Sequence, residues 1–438
     1  MAFGLFLVYL AATFIRPFEM FPDLAEFRPM LLLGVAALLI ALGNRALEGR
    51  PVSAAPQLVL IPLLVLWAAF SVFATQRWLT GAVDTITTLS ANLFVFFLLV
   101  FNLDTLRRVR TTLHVLTILA AVIALESASA YHFGYRTGEL IIYETAAGEP
   151  AGSVALDAPD GPGLVPRVRH RGVLADPNDL AQGLIALMPL VFLARRPGAK
   201  PYNACRVWLP LVMMTYTVFL TRSRGGVLAF LSLIFLASLG RFRAVTAAIL
   251  TGVGATTLLA LGVFAGRTVG VDASGQSRTA AWREGWMMLK ASPIWGVGFG
   301  YFAEYNEGRA AHNSYVECFA ELGLVGYFLW LGTLLVSFRA LRQLRAWTPE
   351  SPDQEELSRL ARAVLLSLAA FLVGAFFLSR AYQMMLFLLL GLATAIVGIA
   401  RRREMRVDEL SISQWSRKVF ALEVASILFV YTVMRLAP

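Results

Sequence analysis

The residues best suited to chemistry in this 438-residue chain are arginines and one histidine standing at the edges of apolar runs. The stretch "TRSRGG", 221–226, holds Arg222 and Arg224 in a connector so short that it forms only a rim between two apolar segments. Guanidiniums there either snorkel to lipid headgroups or close on a phosphate, for which arginine offers a planar, permanently charged fork of donors. "SRTAAWREGWMMLKASP", 277–293, reads as a helix capped by Ser277, with Arg278, Trp282 and Trp286 on one face and Arg283 beside them. Tryptophans so spaced suit a helix lying in the headgroup layer; the sharper reading turns Arg278 inward to an anionic group. In "AHNSYVECFAEL" the pair Ser314 and Glu317 makes a capping box for the apolar run that follows. His312 and Asn313 then stand at a helix entrance, where a hydrated imidazole titrates near neutrality. "ADPND" sets Asp176 and Asn178 around Pro177, a strong helix start and alternatively a pocket contact.

Other chemistries lack their residues. Asp176 and Asp179 are a pair of acids, but no His/Cys cluster has metal spacing, and neither His-Glu-x-x-His nor Gly-x-Ser-x-Gly occurs. "WGVGFGYF" follows no strand and precedes no Lys-Ser/Thr, so its glycines read as sharp turns and close packing rather than a nucleotide loop. Neither a metal nor a cofactor is expected.

Such side chains need elements to hold them. The chain is 58% hydrophobic and 15% charged. Its apolar residues fall in blocks of roughly 14–24 between short charged connectors, the pattern of repeated bilayer crossing. With no water in hydrocarbon to satisfy the backbone, these blocks should be helices, and the missing period-2 alternation argues against an outer-membrane barrel. The fold class expected is an all-α polytopic membrane protein. Its spans lie near 3–14, 29–42, 58–73, 83–101, 113–130, 180–194, 207–220, 227–239, 244–264, 315–338, 363–378 and 383–400. The opening run lacks a basic start and a cleavage site, so it reads as a retained span. The last apolar stretch, 419–433, is short and carries Glu423; it reads as a helix lying in the interface, with a thirteenth span as the alternative.

Basic residues punctuate alternate connectors, among them Arg50, Arg107, Arg195, Arg196, Arg241, Arg243, Arg339 and "RRREMR" at 401–406. The positive-inside rule puts both ends of the chain in the cytoplasm and both long loops outside. The organisation expected is N-terminal spans over 1–130, a first outer loop over 131–176, central spans over 177–264, a second outer loop over 265–314 and C-terminal spans over 315–438. The net charge of +10 is then a topology signal rather than a sign of nucleic acid. Arg171, Arg222, Arg224, Arg278 and Arg380 stay on the outer side against the bias, and Glu126 and Glu321 sit toward the outer ends of their helices. Ionisable groups so placed are functional candidates. Cys205 and Cys318 are not expected to pair.

With "ADPNDLA", "TRSRGG", "SRTAAWREGW", "PIWGVGFGYF" and "HNSYVECFAELGLVG" in this order, the chain resembles the O-antigen ligase and polymerase superfamily over about 172–339. That resemblance implies a bacterial inner-membrane, metal-independent inverting glycosyltransferase of the GT-C-like structural class. It would move glycan from undecaprenyl diphosphate to the lipid A–core oligosaccharide on the periplasmic face. By the same analogy His312 is the general base, and Arg224 and Arg278 bind the diphosphate. Arg222, Arg171, Asp176, Asn178, Trp282, Arg283, Asn313, Glu321 and Arg380 complete the expected substrate-binding set. A polymerase or a protein O-oligosaccharyltransferase would use the same donor, and one sequence does not read the acceptor. The rival from another class is a transporter or flippase of an anionic lipid-linked sugar, which predicts charge near the bilayer midplane and repeated halves with broken helices. Here ionisable residues gather at the outer rim and no internal repeat is visible.

Overall fold

The connectors supply the helix starts. Thr105 accepts from the Arg108 N–H at the start of one helix, Asp176 from Asn178 N–H at another, and Ser351 from Gln354 N–H at a third. Each cap satisfies a donor that a helix end leaves orphaned. The structure is a computed structural model and describes residues 2–19, 23, 27–49, 54–145, 164–239, 244–260 and 271–436. Most of the Gly- and Pro-rich part of the first outer loop, the stretch 261–270, and Arg50, Arg241 and Arg243 lie outside the described residues.

The apolar blocks form α1 (Ala2–Ile15), α2 (Pro29–Leu47), α3 (Gln57–Gln76), α4 (Leu79–Asn102), α5 (Leu106–Phe133), α6 (Pro177–Phe192) and α7 (Lys200–Leu220). They continue as α8 (Arg224–Leu239), α9 (Ala244–Ala260), α10 (Val271–Ala291), α11 (Ser314–Arg345), α12 (Pro352–Ala375), α13 (Met384–Arg402) and α14 (Ile412–Leu436). Among the described residues nine of these are long and apolar enough to cross a membrane, and α1, α8 and the first part of α9 are shorter apolar helices. The chain is an all-α polytopic membrane protein. The expected span 180–194 is the 16-residue α6, which is buried along most of its length.

Helix α13 is the axis of the bundle. Every residue from Met384 to Ala400 is buried, against α4, α11 and α12. A helix apolar all round belongs inside other helices, and its sequence, "MMLFLLLGLATAIVGIA", has no polar face to offer. Two ends of the bundle differ in kind. At one, Arg45 donates to Phe101 O, Arg402 donates to Asp104 O, and Arg108 pairs with the Asp104 carboxylate at 2.9 Å. At the other lie Asp176, Arg224, Arg278 and His312 with the two long loops.

Two expectations are corrected, and one element was not foreseen. The first outer loop contains a small sheet, β1 (Ile141–Thr145) paired antiparallel with β2 (Leu164–Val168), Ile141 opposite Val168. Helix α10 begins at Val271, so Ser277 lies inside it rather than capping it. The stretch expected to lie in the interface is the 25-residue α14, which packs beside α11 and is long and apolar enough to cross a membrane. Near its start Trp415 packs on Phe328; midway Tyr327 donates to Ser426 Oγ at 2.8 Å; near its end Arg283 of α10 reaches Met434 O at 3.5 Å. Its far end therefore lies beside α10, the helix that carries Arg278. Glu423, which counted against a span in the sequence, is only 4% exposed, turned into the bundle.

Candidate functional site

His312 is positioned by two devices. The cap of α11 is Asn313, whose side-chain oxygen accepts from Tyr315 N–H at 2.9 Å and Val316 N–H at 3.2 Å. The expected Ser314–Glu317 capping box does not form. Ser314 Oγ instead donates to Leu378 O and accepts from Arg380 N–H, both at 2.7 Å, while Glu317 accepts from Ala381 N–H at 3.3 Å. These bonds clamp the helix entrance to the loop after α12. His312 itself has φ 49°, and its N–H donates to Ser379 Oγ at 2.9 Å. A non-glycine residue in that region costs roughly 1–2 kcal/mol, and the bond to Ser379 helps hold the residue in it.

The second device is a break in α11. Gly323 has φ 65° and ψ −170° in mid-helix, which frees backbone groups of both half-helices. The loop after α10 fills the gap: Val297 N–H donates to Ala320 O, Gly298 N–H to Glu321 O, and Pro293 O accepts from Leu324 N–H. Trp67 of α3 donates to Leu322 O at 2.9 Å. An unsatisfied carbonyl in hydrocarbon costs several kcal/mol, so the break exists because the loop repairs it. A Cβ on Gly296 would collide with the Glu321 carbonyl and one on Gly323 with the Ile294 carbonyl, which is why "WGVGFG" and "ELGLVG" need those glycines.

That join fixes α10 against α11. The tryptophan stripe faces the protein rather than the headgroup layer, a further correction. Trp282 is 6% exposed, donates to Ala311 O at 3.1 Å and stacks edge-on against Phe376. Trp286 meets Tyr431 of α14. Arg278, one turn earlier on the same face, is therefore carried inward toward the start of α11.

The short turn before α8 brings the remaining charge. Ser223 Oγ accepts from Gly226 N–H at 3.0 Å and donates to Asn178 Oδ1 at 2.7 Å, tying α8 to α6. Arg167 of β2 donates to Asn178 Oδ1 and to Thr221 O at 3.1 and 2.8 Å, and pairs with Glu144 of β1. Arg222 takes φ 49° in the turn, and Arg224 opens the helix.

The charges of these elements sense one another. Arg278 is shifted down, first by burial and then by the positive charge of Arg224. His312 is shifted down by burial and by Arg278, against the opposing pull of Asp176. Its ring remains open to the surface, so it stays accessible while the neutral imidazole is favoured. Arg380 is lowered by burial and supported by Asp176, with which it pairs at 3.5 Å, and it also pairs with Asp179. Two guanidiniums that disfavour each other beside a neutral imidazole form a place where an anion is stabilised.

Of the residues expected from sequence, Arg224, Arg278, His312, Asp176 and Arg380 converge. Asn178 and Asn313 stand behind them as the anchor of the turn and as the helix cap, and Trp282 seats α10. Arg171 does not join them: it pairs with Glu126 at 3.1 Å and Glu139 at 2.9 Å, next to His170, which contacts Glu126 at 3.0 Å. Glu321 is 3% exposed and accepts from Phe302 N–H at 3.2 Å, a structural post under the loop. Arg283 points to α14. Sequence reasoning missed Ser223 and Ser379; the pairing of "SR" with "PN" across 45 residues leaves no local periodic signal. Asp176 and Asp179, considered for a metal, have Arg380 between them, and among the described residues no three His, Cys, Asp or Glu side chains gather as a ligand set. Both cysteines are free.

No match was found among curated proteins. The family model described as O-antigen ligase matches residues 209–331, a range that contains the Arg224 turn, Arg278, His312 and the repaired break. Over residues 209–331 the chain is thus similar to the family described as O-antigen ligase.

Proposed function

We propose that this protein is an O-antigen ligase that transfers a glycan from undecaprenyl diphosphate to a hydroxyl of the lipid A–core oligosaccharide on the periplasmic face of the inner membrane. The observation that carries the reading is the convergence of Arg224, Arg278 and His312 from three separate elements. In the reaction His312 takes the proton of the acceptor hydroxyl, whose oxygen bonds to the anomeric carbon as the bond to the diphosphate breaks, with inversion. The released lipid diphosphate carries the negative charge, and Arg224 and Arg278 stabilise it as it develops. Charge-assisted arginine–phosphate bonds supply what a metal supplies elsewhere. Asp176 and Arg380 border the same site.

The test is transfer in liposomes holding the purified chain, undecaprenyl-diphosphate glycan and lipid A–core. Glycosylated lipid A–core with the native chain, and none with His312→Ala, supports the ligase. Lengthening of the lipid-linked glycan in place of transfer would make it a polymerase, and movement of donor across the bilayer without bond exchange would make it a transporter.

A further inference from the structure

On the face opposite the site, a cavity of about 360 Å³ opens between the starts of α5 and α12 and the end of α6. Arg110, Arg195, Arg196 and Arg359 line it with a single carboxylate, Glu356. Arg110 is occupied by that carboxylate, its Nε lying 2.6 Å from Glu356 Oε1 and Nη2 meeting the other oxygen. Arg196 lies over the ring of Tyr202 at 4.3 Å, and Arg195 over Phe192 at 5.9 Å, contacts that orient a guanidinium without neutralising it. The floor is different in kind. Leu113, Leu190 and Leu360 form an apolar base beneath the cationic rim.

The positive-inside rule requires arginines on this face, but it does not require them to converge from three elements on one concavity. Snorkelling arginines point outward to the bilayer surface, whereas these border a space between helices, with the one acid on hand already engaged. A cationic rim over an apolar floor matches a molecule with an anionic phosphate at one end and hydrocarbon at the other. We infer that this cavity binds the phosphodiester headgroup of an anionic membrane phospholipid, with Arg195, Arg196 and Arg359 as the phosphate donors and the leucine floor receiving the glycerol and upper acyl carbons. The shared chemistry is a phosphate ester, which a soluble phosphate compound would also offer. The apolar floor favours the lipid. The inference is independent of the reaction at the other face.

The test uses the full purified chain in zwitterionic detergent, mixed with phosphatidylglycerol or phosphatidylcholine, with retained lipid counted by native mass spectrometry. The native chain retains phosphatidylglycerol and not phosphatidylcholine. The triple variant R195Q/R196Q/R359Q, which leaves the Arg110–Glu356 pair in place, retains at least about tenfold less, since each arginine near a headgroup is worth roughly fivefold. Arg417→Gln removes a charge near the start of α14, outside the cavity, and leaves retention unchanged. Equal retention by the triple variant would overturn the inference, as would an equal loss with Arg417→Gln. Displacement of the lipid by millimolar inorganic phosphate would also overturn it, because the site would then belong to a soluble anion. Unfolding temperatures in lipid-free detergent check that the triple variant is folded; if it is not, R195Q/R196Q alone is scored by the same criteria.

Discussion

At the scale of single residues, the site rests on charges that oppose one another until a negative group arrives. Arg278 is made less basic by burial and by Arg224, so the proposed diphosphate would relieve a repulsion as well as make bonds. Replacing Arg278 or Arg224 with lysine keeps the charge and loses the fork, so transfer should recover poorly in either lysine variant, measured as kcat/KM in liposomes. Full activity in a lysine variant would mean that charge alone matters at that position. The pH profile gives a second expectation. Because His312 is held below its ordinary value, near 6.5 for free imidazole, the neutral base persists into mild acid. The kcat/KM profile should therefore rise through an acid limb below about pH 6.5 and stay flat above it. An acid limb at or above the ordinary imidazole value would remove His312 as the base. His312→Gln should lower kcat by about 10²–10⁴-fold while donor binding is kept.

At the scale of elements, what the sequence made legible depended on whether the signal was local. The helix starting at Pro177 was legible because Asp176 and Pro177 are adjacent and each has one strong role at a helix start. The start of α11 was only half legible. Asn313, Ser314 and Glu317 all belong to the capping vocabulary, and the choice fell to Asn313 because Ser314 and Glu317 are drawn away by the loop carrying Ser379, Arg380 and Ala381. Asn313→Ala should cost about 0.5–2 kcal/mol of stability, read as a fall in unfolding temperature, and should lower transfer by loosening the entrance that carries His312. The tryptophans of α10 were placed on the correct face, but a pattern of one helix cannot say whether that face meets lipid or protein. Trp282 found Phe376 and Ala311 O. The hairpin was not legible at all, since its strands are separated by a long Gly- and Pro-rich insertion and each has only five residues.

At the scale of the whole molecule, composition and connector charge sufficed for the class of fold and for which loops share a face. The crossing hardest to read was α14, whose apolar stretch is short in sequence and carries Glu423, yet belongs to a 25-residue helix with that side chain buried. Labelling tests the revised topology. In a Cys205→Ser background, a cysteine at Leu436 should react with a membrane-impermeant maleimide from the same side as one at Arg309, and a cysteine at Ser411 from the opposite side. Equal reaction of positions 411 and 436 from one side would return the helix to the interface.

The break at Gly323 has a consequence for how the protein is made. Trp67, Val297 and Gly298, whose N–H groups close the gap, and Pro293, whose carbonyl accepts from its far side, all precede the residues they serve. A ribosome therefore delivers the patch before the hole. When the second half of α11 leaves the translocon, every partner of its exposed backbone is already in the membrane, and the discontinuity is sealed on arrival. A circularly permuted chain that begins at residue 310 would reverse that order, and its α11 would have to wait in lipid with its carbonyls bare.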